Sequence, residues 1–215
     1  TDEKRALAAL WSIRGVGPVT LSALRARHGS LSALLRQPTS RWVPLVDWHG
    51  KAREALSALD TLEQGAVQLE AVCREQRVRV LFPGDAGWPE KLDGVADAPP
   101  LLFAQGPAFE APRRRRVAIV GSRSVEESAL RYLRGFAKQL AHAGVGVVSG
   151  GALGCDQAAH YGALDAGGET WAVLGHALDQ VDAPQVKLVN AMRDAGQTLL
   201  SQFPPGFRAN LNSFV

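Results

Sequence analysis

From Val117 onward the chain alternates short, wholly apolar runs with stretches of helical period, and few folds accept that order. Val117-Ala118-Ile119-Val120 is apolar at every position. A strand apolar on both faces needs cover on both. Residues 126–143 then place Leu130, Leu133, Phe136, Ala137 and Leu140 on an inward helical face. A second strand is expected at 145–148, a second helix at 158–164, a third strand over Thr170 to Leu174, a third helix at 186–192 and a fourth strand at 198–200. The fold class is α/β: a mostly parallel sheet covered by helices on both sides. Two earlier apolar runs, at 78–82 and 101–103, have strand character, and Arg113 to Arg116 form a basic run just before the first fully apolar strand.

The N-terminal third has a different rhythm. Ala6, Ala9, Leu10 and Ile13 keep helical spacing until Gly15-Val16-Gly17-Pro18 breaks it. A second helix carries Leu21 and Leu24 and ends at His28-Gly29. Ser30 is a candidate N-cap for a third helix holding Leu31, Leu34 and Leu35. Helical spacing resumes through Leu56, Leu59, Leu62, Leu69 and Val72. The expected division is an all-helical domain with a connecting helix at 1–76 and an α/β domain at 77–215.

Ligands of open parallel sheets sit beyond the carboxyl ends of the strands, and two consecutive strands here end in glycine-rich loops. The first is Gly121-Ser122-Arg123, leading into a helix. Its glycine admits close approach, the helix offers unpaired N–H groups, and Arg123 adds a forked cation. The second is Ser149-Gly150-Gly151-Ala152-Leu153-Gly154-Cys155-Asp156. Such glycines can form a nest of N–H groups for an anion, or simply turn the chain. Two of them on adjacent strands, with Arg123 between, favour the anion. A dinucleotide site is disfavoured, because Arg123 and Glu126 stand where the second and third glycines of that fingerprint belong. The nucleotide-triphosphate loop is absent too. Asp156 and His160, four residues apart, share a helical face; the expectation is a helix cap and a loop hydrogen bond rather than an acid–base pair.

Composition narrows the class further. The chain has 215 residues and a formal charge of +3, with 12 basic against 8 acidic residues in 1–80 and 12 against 13 in 81–215. Arginine outnumbers lysine 19 to 5, which suits phosphate but also follows from biased codon usage. Cys73 and Cys155 are the only cysteines and lack metal-ligand spacing, so neither a disulfide framework nor a metal site is expected, and a reducing, cytoplasmic compartment is the simplest expectation. No run approaches the roughly 18 apolar residues that span a bilayer, and no secretory pattern opens the chain. No catalytic constellation emerges. No aromatic platform for bases stands out, and Trp171 reads as core.

The ordered motifs resemble the bacterial DNA-processing protein family DprA/Smf. The resemblance rests on Phe82-Pro83, Trp88-Pro89 with Leu92, the lead-in Pro100…Leu102…Gly106, and Val117 through Arg123. It continues through Ser149-Gly150-Gly151-Ala152, Gly154, Asp156, Ala158-Ala159-His160 and Ala163-Leu164. Gly168, Thr170, Ala172 to Gly175, and Leu199-Leu200-Ser201 with Phe203-Pro204-Pro205-Gly206 complete it. The resemblance implies an extended Rossmann-like domain after a small all-helical one, with no enzymatic activity and no cofactor. It implies binding of single-stranded DNA, dimerisation through the Rossmann-like domain, and help in loading the RecA recombinase during natural transformation. The DNA contacts carried over are Gly121, Ser122, Arg123, Ser149, Gly150, Gly151, Ala152 and Gly154, with Lys187 on the helix after the third strand. Leu153 stands where the family often has a basic residue, Ala183-Pro184 replaces Tyr-Pro, and Gln202 replaces a Glu. The family pattern runs on past Pro-Pro-Gly, so the α/β domain is expected to be truncated at Val215.

Ile13-Arg14-Gly15-Val16-Gly17-Pro18 matches a helix–hairpin–helix, whose turn grips a DNA phosphate; Gly15, Gly17, Arg25 and Arg27 are then candidate contacts. A SAM-like packing domain would keep the same turn, and both readings stay open. The rival function is N-glycosidic cleavage of nucleoside monophosphates by a related Rossmann-like fold. Its loop, Pro-Gly-Gly-x-Gly-Thr followed by a catalytic Glu, is not matched: Ser149 precedes the glycines, Cys155 replaces the Thr, and the next Glu is Glu169. A protein-interaction adaptor would leave both loops unexplained.

Overall fold

The structure, a computed structural model, describes residues 1–48, 51–107 and 115–208. Arg113 and Arg114 of the basic run and the last seven residues lie outside the described residues. The chain forms two compact units, Thr1–Phe82 and Pro83–Val215.

The first unit is helical, with α1 (Asp2–Trp11), α2 (Pro18–His28), α3 (Thr39–Trp42), α4 (Ala52–Ser57) and α5 (Leu62–Glu75), then a short strand β1 (Arg79–Leu81). Thr1 caps α1, and Asp2 and Glu3 sit in its first turn, where the helix dipole favours negative charge. Ala6, Ala9 and Leu10 are buried, as are Leu21 and Leu24 of α2. Arg5 fastens α1 to α5 through Glu63 (3.1 Å) and Glu70 (2.7 Å). Ser30 does not cap a third α-helix: its hydroxyl pairs with Ser32, and only a 3-10 turn, Ser32–Leu34, follows. Pro38 ends that pattern too early for a full α-helical turn to propagate.

The second unit contains β2 (Leu102–Gln105), β3 (Arg116–Ala118), α6 (Glu127–His142), β4 (Gly146–Ser149), α7 (Cys155–Asp165), β5 (Thr170–Leu174), α8 (Val186–Asp194) and β6 (Thr198–Ser201). The strands lie in the order β2-β6-β5-β4-β3. β3, β4, β5 and β6 are parallel, with Val117 beside Val147, Val148 beside Trp171 and Ala172 beside Leu199. β2 joins antiparallel, Ala104 facing Leu200. The expected α/β class with a mostly parallel sheet is the one observed.

The expectation of cover on both sides fails at β3. Among the described residues it pairs only with β4; Val117 is 40% and Val120 79% exposed. The inward face expected for residues 126–143 is the sheltered one, with Ala137 buried and Leu130, Leu133 and Leu140 half-buried; Phe136 departs from it at 43% exposed.

The opposite part of the sheet is well filled. Phe103, Ala172, Leu188, Val189, Met192 and Leu199 are all buried, and Leu188 of α8 lies beneath the Gly151 backbone. Leu188→Ala should therefore cost about 2–5 kcal/mol, read as a lower midpoint in urea denaturation; an unchanged midpoint would mean that α8 does not hold this side of the fold.

Candidate functional site

Because β3 to β6 are parallel, the segments after all four emerge at one edge of the sheet. The first glycine loop follows β3 and the second follows β4, and the structure brings them into contact. The Cys155 N–H donates to the Ser122 carbonyl at 3.2 Å. A Cβ on Gly121 would lie 2.6 Å from Cys155 Sγ, so only glycine allows this approach. Gly154 has φ +88°, and a Cβ there would strike the Ser122 carbonyl and come within 2.9 Å of Arg123 Cα. Gly121, Ser122, Arg123 and Gly154 thus form one folded unit.

Polar side chains brace it from below. Ser149 donates its hydroxyl to the Ile119 carbonyl at 2.6 Å, tying the end of β4 to the end of β3. Asp156 is buried and accepts the Ala152 N–H at 3.3 Å, curling the Gly150-Gly151 segment around its carboxylate. It makes no side-chain cap of α7, contrary to expectation. His160 is fully buried and bonds Thr170 on β5 (2.7 Å). The Thr170 hydroxyl donates to the Val147 carbonyl, so it accepts from His160 Nδ1–H. Asp156 and His160 are engaged separately, in the loop and in the sheet, and do not work as an acid–base pair.

A second run of contacts leads from Gly151 across the sheet edge. Gln157 Nε2 donates to the Pro184 carbonyl at 2.8 Å, holding the entry to α8 against α7. The Gln185 side chain packs against Gly151, and its amide lies 2.7 Å from His176 Nε2. Ser201, at the end of β6, donates to the His176 carbonyl at 2.7 Å, and the Phe203 N–H donates to Ser201 Oγ at 3.0 Å. The Phe203 and Phe207 rings are stacked, 4.2 Å between centroids and 7° from parallel. Composition showed no aromatic platform, and these two residues are the ones it passed over. Their four-residue spacing around Pro204-Pro205-Gly206 was the only signal. Trp171, as expected, is core; the Arg116 guanidinium lies 3.8 Å over its ring.

The edge suits an anion. α6, α7 and α8 all start there, and no side chain caps any of them. Helix N-termini carry partial positive charge. α6 is the poorest of the three, because Glu126 and Glu127 stand at its start. α8 is better placed, with exposed Lys187 in its first turn and no acidic residue there. Arg123 is exposed at the junction of the two loops, and Leu153 is exposed within the second. Among the described residues no group of three or more His, Cys, Asp or Glu could hold a metal ion, and no helix is long and apolar enough to cross a membrane.

In the first unit, Gly15 and Gly17 flank a tight turn in which the Val16 N–H bonds the Ile13 carbonyl at 3.0 Å, and α2 starts at Pro18 without a side-chain cap. Arg25 is paired with Glu3 at 3.4 Å, whereas Arg27 is exposed.

Comparison with known proteins adds to this geometry. Residues 79–215 match the family described as DNA recombination-mediator protein A. A Mycobacterium tuberculosis chain named as a DNA processing protein DprA is 32% identical over 222 residues, covering 97% of this chain and 51% of its own. The chain thus spans about half the length of the curated relatives it matches. The crystal structure of DNA processing protein A from Streptococcus pneumoniae shares the fold over the whole chain and 71% of its own, with a TM-score of 0.64 at 23% identity. A DNA processing protein A from Helicobacter pylori, solved to describe its single-stranded DNA binding mode, has a TM-score of 0.54 at 26% identity. That match covers 64% of this chain and 61% of the other.

Burial pushes His160 down to about 4, with the Ser149 carbonyl offsetting the shift in part. An unfolded histidine titrates near 6.5, so between these values the unfolded chain binds more protons. Stability is full above about pH 6.5 and falls by about 3 kcal/mol as pH drops towards 4. His160→Gln should remove this component, seen as a flatter difference in urea midpoint between pH 7 and pH 4; parallel profiles for the two proteins would contradict it.

Proposed function

Because the chain belongs to the DNA recombination-mediator protein A family, we propose that it binds single-stranded DNA along the joined glycine loops. The observation that carries this reading is the close seating of Gly121-Ser122-Arg123 on Gly154-Cys155. It gathers uncapped helix starts and an exposed arginine on one edge, where backbone phosphates are the fitting anion. Gly121, Ser122, Arg123, Ser149, Gly150, Gly151, Ala152 and Gly154 form or brace the phosphate track. Lys187 extends it towards α8. The contacts are to the strand's backbone, so recognition is independent of sequence.

The activity assigned is protection of incoming strands and their transfer to RecA, without catalysis, in a homodimer formed through the Rossmann-like domain. Family membership supports it, as does the single-stranded DNA binding described for the Helicobacter pylori relative. Nucleoside-monophosphate cleavage finds less support, since the one carboxylate in the second loop, Asp156, is buried and occupied by Ala152. A secondary contact is assigned to the Gly15–Gly17 turn and Arg27; Arg25 is committed to Glu3.

Affinity should fall linearly with the logarithm of salt concentration. Arg123→Ala should weaken binding about tenfold on every sequence tested and lower the salt slope by about one phosphate contact. Fluorescence anisotropy with labelled oligonucleotides at several salt concentrations checks both. Wild-type affinity in the variant would remove Arg123 from the site, and salt-independent binding would overturn the phosphate track.

A further inference from the structure

We infer that Phe203 and Phe207 form a base-stacking platform at the far end of the same DNA path. The inference rests on the single-stranded DNA reading and adds what that reading lacks, a surface for bases rather than phosphates.

The pair lies on the segment following β6, and β6 runs parallel to β4 with only β5 between. Two strand spacings separate the end of β6, where this segment begins, from the end of β4 by about 10 Å, a span that a short run of nucleotides covers. Gln185 packs against Gly151, and a hydrogen-bonded run from Gln185 through His176 and Ser201 to Phe203 ties the two ends together through buried side chains.

The turn itself is held at four points. The Phe207 N–H donates to the Pro204 carbonyl at 3.1 Å, and the Ala177 N–H donates to the Phe207 carbonyl at 2.9 Å. The Gly206 N–H reaches the Asp179 carboxylate at 3.0 Å, and Arg208 donates to Gln180 at 3.2 Å. Phe203 and Phe207 are both half-buried, so neither residue is absorbed into the core, and each ring turns one face to the other. A rigid aromatic surface loses little side-chain freedom when a base stacks on it. Exposed Lys187 and Arg208 supply cations along the same edge. Every base has a π-face, so such a platform adds affinity without sequence preference.

The test compares an oligodeoxynucleotide with an abasic deoxyribose-phosphate strand of equal length, using the whole chain. Wild type should bind the base-bearing strand about tenfold more tightly. Phe203→Leu and Phe207→Leu keep apolar volume in the turn but remove the flat rings; each should lose most of that preference while binding the abasic strand as wild type does. Circular dichroism confirms that the variants are folded, and Phe207→Tyr, which keeps a ring, should retain the preference. Equal wild-type affinity for both strands, or Leu variants with an undiminished preference, would overturn the platform while leaving the phosphate track standing. Failure of wild type to bind either strand would overturn the DNA reading and the platform with it.

Discussion

The contact between Gly154-Cys155 and Gly121-Ser122-Arg123 governs the architecture of the sheet edge. Two parallel strands would bring their loops near one another in any case, but proximity alone leaves each loop to fold by itself. Here a Cβ at Gly121 or Gly154 would collide with the opposite loop, and one backbone hydrogen bond, Cys155 N–H to Ser122 O, closes the gap. The start of α7 and the approach to α6 are therefore fixed together. Ser149 reinforces the join one layer down by bonding Ile119 across the strands. An anion on this edge meets a surface whose donors are already placed, which reduces the ordering cost of binding.

The buried polar groups beneath the loops have a related role. His160, Thr170, Asp156, Gln185, His176 and Ser201 are all buried: Asp156 holds its own loop, His160 ties α7 to the start of β5, and Gln185, His176 and Ser201 link the segments after β5 and β6. Such groups are costly to bury unless hydrogen-bonded, so a network of them specifies one arrangement of the loops more sharply than apolar packing does. In the second unit, the α8 side of the sheet is well filled, with Leu188, Val189, Met192 and Leu199 buried. β3 contributes less to the core than its apolar sequence suggests, since Val117 and Val120 face outward.

Much of this was legible in the sequence because it follows from period and from glycine. Strand–helix alternation gave the parallel sheet, and the loops after β3 and β4 stood where glycine and Arg123 indicated. What remained hidden depends on neighbours distant in the chain. Nothing near Val117 reports that β3 lies at an edge. Nothing near Cys155 reports that its backbone and thiol face Gly121, 34 residues away. His160 was expected to bond within the loop, and nothing near it in the chain reports its further bond to Thr170 on the next strand. The Phe203–Phe207 pair escaped notice because two phenylalanines around a proline turn are unremarkable until the turn is seen pinned to the same edge as the glycine loops.

The central claim, that both glycine loops act as a single site for single-stranded DNA, is tested most directly by backbone amide NMR during titration with a short oligodeoxynucleotide. The amides of Gly121 to Ser124 and of Gly150 to Cys155 should shift together and yield one common dissociation constant. Shifts confined to one loop, different constants for the two, or shifts in neither would contradict it.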